Sequence, residues 1–152
     1  MTDYRALNEQ LAALLSGETD RIANLANAAA LVYHALPEVN WAGFYLRRDR
    51  ELVLGPFQGQ PACVRIPLGQ GVCGTAARDD RTLRVADVHA FPGHIACDAA
   101  SRSEIVIPLH GAGGVVAVLD IDSPRPDRFS AADEAGLETM AKTLERKVRL
   151  AD

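Results

Sequence analysis

Val115-Val116-Ala117-Val118-Leu119-Asp120-Ile121-Asp122 is the most apolar strand candidate in the chain, and the fold is read outward from it. Side chains alternate between the two faces of a strand. Val116, Val118, Asp120 and Asp122 therefore share one face, and Leu119 and Ile121 share the other. Two carboxylates thus sit at the end of a strand whose composition otherwise suits a protein interior. Immediately upstream, the turn-like stretch His110 to Gly114 joins this strand to a second, Ser103 to Leu109. There Glu104 falls on the face of Val106, opposite Ile105 and Ile107.

Further towards the N-terminus, short β runs continue. Trp41 to Arg48 and Glu51 to Phe57 read as a hairpin across Arg48-Asp49-Arg50. In its first strand Trp41, Gly43 and Tyr45 oppose Ala42, Phe44 and Leu46. Cys63 to Pro67 is a third strand. Gly69 to Gly74 reads as a loop leading into a short helix around Thr75 to Arg78, and a fourth strand runs about Thr82 to Val85. Asp87 to Arg102 is a long irregular segment.

Helices bracket these strands. Tyr4, Leu7, Leu11 and Leu14 predict an amphipathic helix over 3–16 that stops near Gly17. A second starts near Asp20, carries Ile22, Leu25, Ala29 and Val32, and ends by Pro37. Ser130 with Asp133 matches a capping box opening a last helix, whose Leu137, Met140, Ala141, Leu144 and Val148 point one way. Two helices, about six strands and a closing helix make one α+β domain over residues 1–152, with helices segregated from a mainly antiparallel sheet.

The chain has 152 residues, 48% hydrophobic and 24% charged, as expected of one globular domain. A net charge of -4 argues against a general nucleic-acid binder, which needs clustered Lys and Arg. No apolar run approaches the roughly 20 residues of a membrane helix, and Met1 to Gln10 lacks a hydrophobic signal region. The cytoplasm, where thiols stay mostly reduced, is the expected compartment.

The three cysteines, Cys63, Cys73 and Cys97, are too few to staple a fold of this size. No C-x-x-C pair occurs, and the only short metal-like spacing is His94 to Cys97, so a zinc centre is not expected. Free cysteines are often simple packing residues, and Cys63 at a strand start suits that role. Cys73 suits it poorly, because Gly71-Val72-Cys73-Gly74-Thr75 puts a thiol at a helix start whose dipole favours a thiolate. Cys97 lies in a polar loop near His94, the kind of segment that carries reactive groups.

The acids and aromatics also have two readings. Strand-end Asp residues often face solvent or cap a turn, as Asp122-Ser123-Pro124 suggests, and Trp41 and Tyr45 are ordinary core aromatics. Alternatively, the aromatic pair and Glu104, Asp120 and Asp122 line one pocket above the sheet, where acids suit a ligand bearing an ammonium group.

Asn40-Trp41-Ala42-Gly43-Phe44-Tyr45-Leu46, Leu54-Gly55-Pro56-Phe57-Gln58-Gly59 and Ala62-Cys63-Val64-Arg65-Ile66-Pro67 resemble segments of the free methionine-(R)-sulfoxide reductases. So do Gly69-Gln70-Gly71-Val72-Cys73-Gly74-Thr75-Ala76, Asp87-Val88-His89, the run from Gly93 through Cys97 to Ser101, and Leu119-Asp120-Ile121-Asp122-Ser123. The similarity runs from about Gly17 into the last helix and includes all three cysteines at the family's spacing.

The resemblance implies a GAF-like fold: a central antiparallel six-stranded sheet, with N- and C-terminal helices on one face and the ligand pocket on the other. It implies a homodimer that reduces free L-methionine (R)-sulfoxide to methionine. Cys97 would attack the sulfoxide sulfur and pass through a sulfenic acid to a disulfide. Cys63 would be the main resolving thiol and Cys73 a possible second, with thioredoxin as reductant. Glu104, Asp120 and Asp122 would hold the substrate ammonium and hydrogen-bond the sulfoxide oxygen. Trp41 would shelter the methyl group and sulfur, and Tyr45 would donate a hydrogen bond nearby. No flavin, nicotinamide or metal is required. Two rivals remain: a small-molecule sensor, the common role of GAF-type domains, and a redox-sensing interaction protein with no substrate pocket. A sensor usually feeds an output domain; the chain offers no room for one after its closing helix, which favours the enzyme.

Overall fold

The computed structural model describes residues 1–95, 97 and 99–151. Ala96, Asp98 and Asp152 lie outside the described residues, so the Cys97 loop motif is seen only in part. Six strands form one sheet: β1 (Trp41–Arg48), β2 (Glu51–Gly59), β3 (Arg65–Pro67), β4 (Leu83–Val85), β5 (Ser103–Gly111) and β6 (Gly114–Ser123). Their order is β3-β2-β1-β6-β5-β4, and every neighbouring pair is antiparallel. β6, the strand from which the fold was read, pairs on both sides and is buried along most of its length.

Three helices cover one face: α1 (Tyr4–Leu15), α2 (Arg21–Ala35) and α4 (Ala131–Lys147). They pack on Ala42, Phe44, Leu46, Ile105, Ile107, Leu109, Ala117, Leu119 and Ile121, the residues that strand alternation assigns to that side. Cutting a fully buried leucine such as Leu119 to alanine in this layer costs about 2–5 kcal/mol. Each of these helices has the start its sequence foretells. Asp3 and Asp20 accept from the Ala6 and Ala23 amides, and Ser130 with Asp133 completes the capping box. Asp133 also ties the layer together, accepting from the Tyr4 hydroxyl at 2.6 Å and pairing with the buried Arg128 at 3.1 Å.

Several expectations need correction. In α1 the buried positions are Leu7, Leu11 and Leu15, so Leu14 turns outward at 43% exposure; Ile22 of α2 is also exposed. Val116 packs towards the helices and not beside Val118, because the β5–β6 register slips between Leu109 and His110. β3 begins at Arg65, leaving Cys63 in the preceding loop.

The largest difference is α3 (Gly71–Asp79), on the other face of the sheet. The sequence suggests a helix only over Thr75 to Arg78, with the glycines read as loop. Gly71 instead enters the helix through a positive φ of 62°, a conformation open to glycine at no steric cost. A Cβ at Gly74 would collide with the Pro67 carbonyl, so α3 sits close on the β3 end.

Among the described residues, no helix is long and apolar enough to cross a membrane.

Candidate active site

Pairing register assembles the site. Trp41 lies opposite Asp122, which lies opposite Glu104; one rung along, Gly43 lies opposite Asp120, which lies opposite Val106. The three acids are therefore brought together on the face opposite the three-helix layer. α3 closes over them and delivers Cys73, whose sulfur lies 3.8 Å from Glu104 Oε2. Trp41, Tyr45, Cys73, Cys97 and all three acids line one cavity of about 50 Å³. Seven of the eight expected site residues thus meet in a single pocket. The eighth, Cys63, is joined to Cys97 by a disulfide, with a Cα–Cα distance of 5.3 Å, while Cys73 is the free thiol.

The aromatics form a stacked wall. Trp41 stacks with both Phe57 and Tyr45, with ring centroids at 5.1 and 6.0 Å, and its Nε1–H donates to the Gln60 carbonyl. The Tyr45 hydroxyl donates to the Cys63 carbonyl at 2.8 Å, so it fixes the backbone beside one half of the disulfide. Phe57 carried no expected role. It reaches this wall because β2 slips register against β1 between Gly43 and Tyr45, where Gly55-Pro56 intrudes, and the slip turns an odd-numbered residue to the face of Leu52 and Leu54. Proline in a strand interior is the available signal for such a break. Gly43 is required at the same point, since a Cβ there would meet Phe57. The cavity also takes in Gln70, His94, Ile95 and Ser101.

Electrostatics distinguish the acids. Burial pushes the Glu104 carboxyl well above the usual carboxylate range, and the charges of Asp120 and Asp122 push it the same way. Burial also raises Asp120, but hydrogen bonds from Glu104 and Cys73 pull it back. The two carboxyls are coupled, and Glu104 is the one pushed further towards its protonated form.

Cys73 departs from expectation. Burial, followed by the fields of Asp120, Glu104 and Asp122, pushes its thiol well above the ordinary range, so the helix start does not yield a thiolate. Desolvation and three neighbouring acids outweigh a helix dipole worth about 0.3–1 kcal/mol at ordinary sites. His94, beside the Cys97 end of the cavity, is held below the normal histidine range by burial and by His89, whose ring centroid is 5.6 Å away.

A six-stranded antiparallel sheet with helices behind and a pocket in front is the architecture of a GAF domain, and the GAF domain family matches residues 10–148. Protein YtsP of Bacillus subtilis is 62% identical over 146 residues, covering 95% of this chain and 90% of that protein. The free methionine-R-sulfoxide reductase of Escherichia coli is 54% identical over 149 residues, covering 98% and 90%. The structure of fRMsr of Staphylococcus aureus in complex with substrate superposes with a TM-score of 0.92 at 51% identity, covering 99% of this chain and 97% of that one. The chain belongs to the GAF family and, within it, to the free methionine-R-sulfoxide reductases.

Proposed function

We propose that this protein reduces free methionine (R)-sulfoxide to methionine through its cysteines, in the cytoplasm, with a thioredoxin-type dithiol as the regenerating reductant and a homodimer as the working form. The observation that carries the reading is the convergence of one cavity, three acids and a disulfide ending at Cys97. A sulfoxide needs a nucleophile at sulfur and a proton for the departing oxygen. In the reduced protein the Cys97 thiolate attacks sulfur and Glu104 protonates the oxygen; the hydroxyl then passes to the Cys97 sulfur as the bond between the two sulfurs breaks, which releases methionine and leaves a sulfenic acid on Cys97.

Cys63 then attacks the sulfenic sulfur, water departs, and the Cys63–Cys97 disulfide forms. That bond is the one present in the structure, which supports Cys63 over Cys73 as the resolving thiol. The raised thiol of Cys73 supports the same choice, because a protonated buried sulfur is a poor nucleophile. Exchange with an external dithiol reopens the disulfide. Asp120 and Asp122 receive the substrate ammonium, and the indole of Trp41 faces the methyl and the sulfur as positive charge develops there.

Single-turnover assays test the roles. Cys97→Ser should give no methionine, and a full burst from that variant would remove Cys97 from the reaction. Cys63→Ser should release one methionine per chain and then stall in the presence of thioredoxin. A sensor would bind free methionine sulfoxide without releasing methionine.

A further inference from the structure

Beyond any reaction of the sulfoxide, we propose that Cys73, Glu104 and Asp120 form a binding site for one thiophilic divalent cation of the zinc and cadmium class. One ligand atom from each residue lies within 4.8 Å of the others, and all three residues are buried. Zinc takes thiolate sulfur at about 2.3 Å and carboxylate oxygen at about 2.1 Å, so tetrahedral angles set S···O near 3.6 Å and O···O near 3.4 Å. The Cys73 sulfur to Glu104 Oε2 distance of 3.8 Å needs a contraction of only a few tenths of an ångström.

Three acidic side chains in proximity would not make a site by themselves. A second observation points to an absent ligand: Asp120, 5% exposed and lining the cavity, keeps Oδ1 without a hydrogen-bond partner among the described residues. Burying an acceptor oxygen without a partner is costly, so its unmade hydrogen bond calls for a ligand. An ammonium group would satisfy that oxygen but gains nothing from a thiol, whereas a soft cation uses both. Space is adequate, since about 50 Å³ holds an ion and the water that completes its fourth position.

The bound cation faces one thiolate and two carboxylates, two positive charges against three negative, and any protons on those groups leave to solvent.

The oxidised protein gives a clean test, because the Cys63–Cys97 disulfide leaves Cys73 as the sole thiol of the three cysteines. Cadmium chloride titrated into that form should produce a thiolate-to-cadmium charge-transfer band saturating at one ion per chain. Asp120→Asn and Glu104→Gln, which keep the thiol, should each weaken binding at least about tenfold, the loss that even outer partners of a metal site cause. Cys73→Ser should lose the band, with circular dichroism reporting its fold. Absence of the band in the parent protein, or a band whose affinity neither acid substitution alters, overturns the site. No turnover is measured, so failure here is distinct from failure of the reductase reading.

Discussion

Replacing Cys63 and Cys97 together with serine should lower stability by an amount fixed by how much chain the disulfide encloses. The two residues are 34 apart in sequence. The chain-entropy relation for a loop of that size gives about 12.6 cal/mol/K, or about 4 kcal/mol at 25 °C, lost from the unfolded ensemble when the bond is present. Urea unfolding reads this directly. With a slope of about 2 kcal/mol/M, the double variant should unfold at a midpoint about 2 M below the oxidised parent. The reduced parent should behave like the variant. Midpoints within about 0.5 M of each other, less than a quarter of that shift, would refute the reasoning. They would mean that the unfolded chain gains little freedom when the bond is cut.

Four further outcomes follow from single contacts. Glu104 has its folded-state carboxyl raised, so the stability it contributes is fully present below the ordinary carboxylate range and is lost as pH rises through the folded value. Glu104→Gln should therefore gain on the parent in urea midpoint as pH climbs from about 4.5, while losing methionine release. His110, between Asp80 and Glu145 at 2.6 Å each, is raised chiefly by its hydrogen bond to Asp80. Its contribution is full below pH about 6.5 and fades above, so His110→Gln should flatten the fall in thermal midpoint over the range just above that value. Tyr4→Phe removes a hydrogen bond to the Asp133 carboxylate and should cost about 1.5–3 kcal/mol in unfolding free energy. Gly43→Ala forces β1 from β2 at Phe57 and should cost about 1–3 kcal/mol with loss of substrate affinity by calorimetry.

Alternation along β1, β5 and β6 was legible from the residues alone, because both faces of the central strands are buried and every polar exception stands out. That is why Asp120 with Asp122, Glu104 with Val106 and Trp41 with Tyr45 could each be assigned to one face of its own strand, with a shared pocket as one of two readings. The layer of α1, α2 and α4 was legible for the same reason, its apolar residues recurring at helical spacing. Side-chain faces are hidden where the period breaks. Gly55-Pro56 reverses the faces of β2 and hid Phe57; the slip at Leu109/His110 turned Val116. The glycines of α3 looked like loop because their function is tertiary, one for a left-handed entry and one for close approach to Pro67. The character of Cys73 was hidden for another reason. Its protonation depends on residues 31 to 49 positions away, which no local signal carries.

Sheet order gives the Cys63–Cys97 bond one more consequence. Cys63 sits just ahead of β3 at one margin of the sheet, and Cys97 follows β4 at the other. A covalent link between them joins loops that flank two strands sharing no ladder. Reduction therefore removes a covalent tie between loops at opposite margins and leaves α3 and the sheet to hold them.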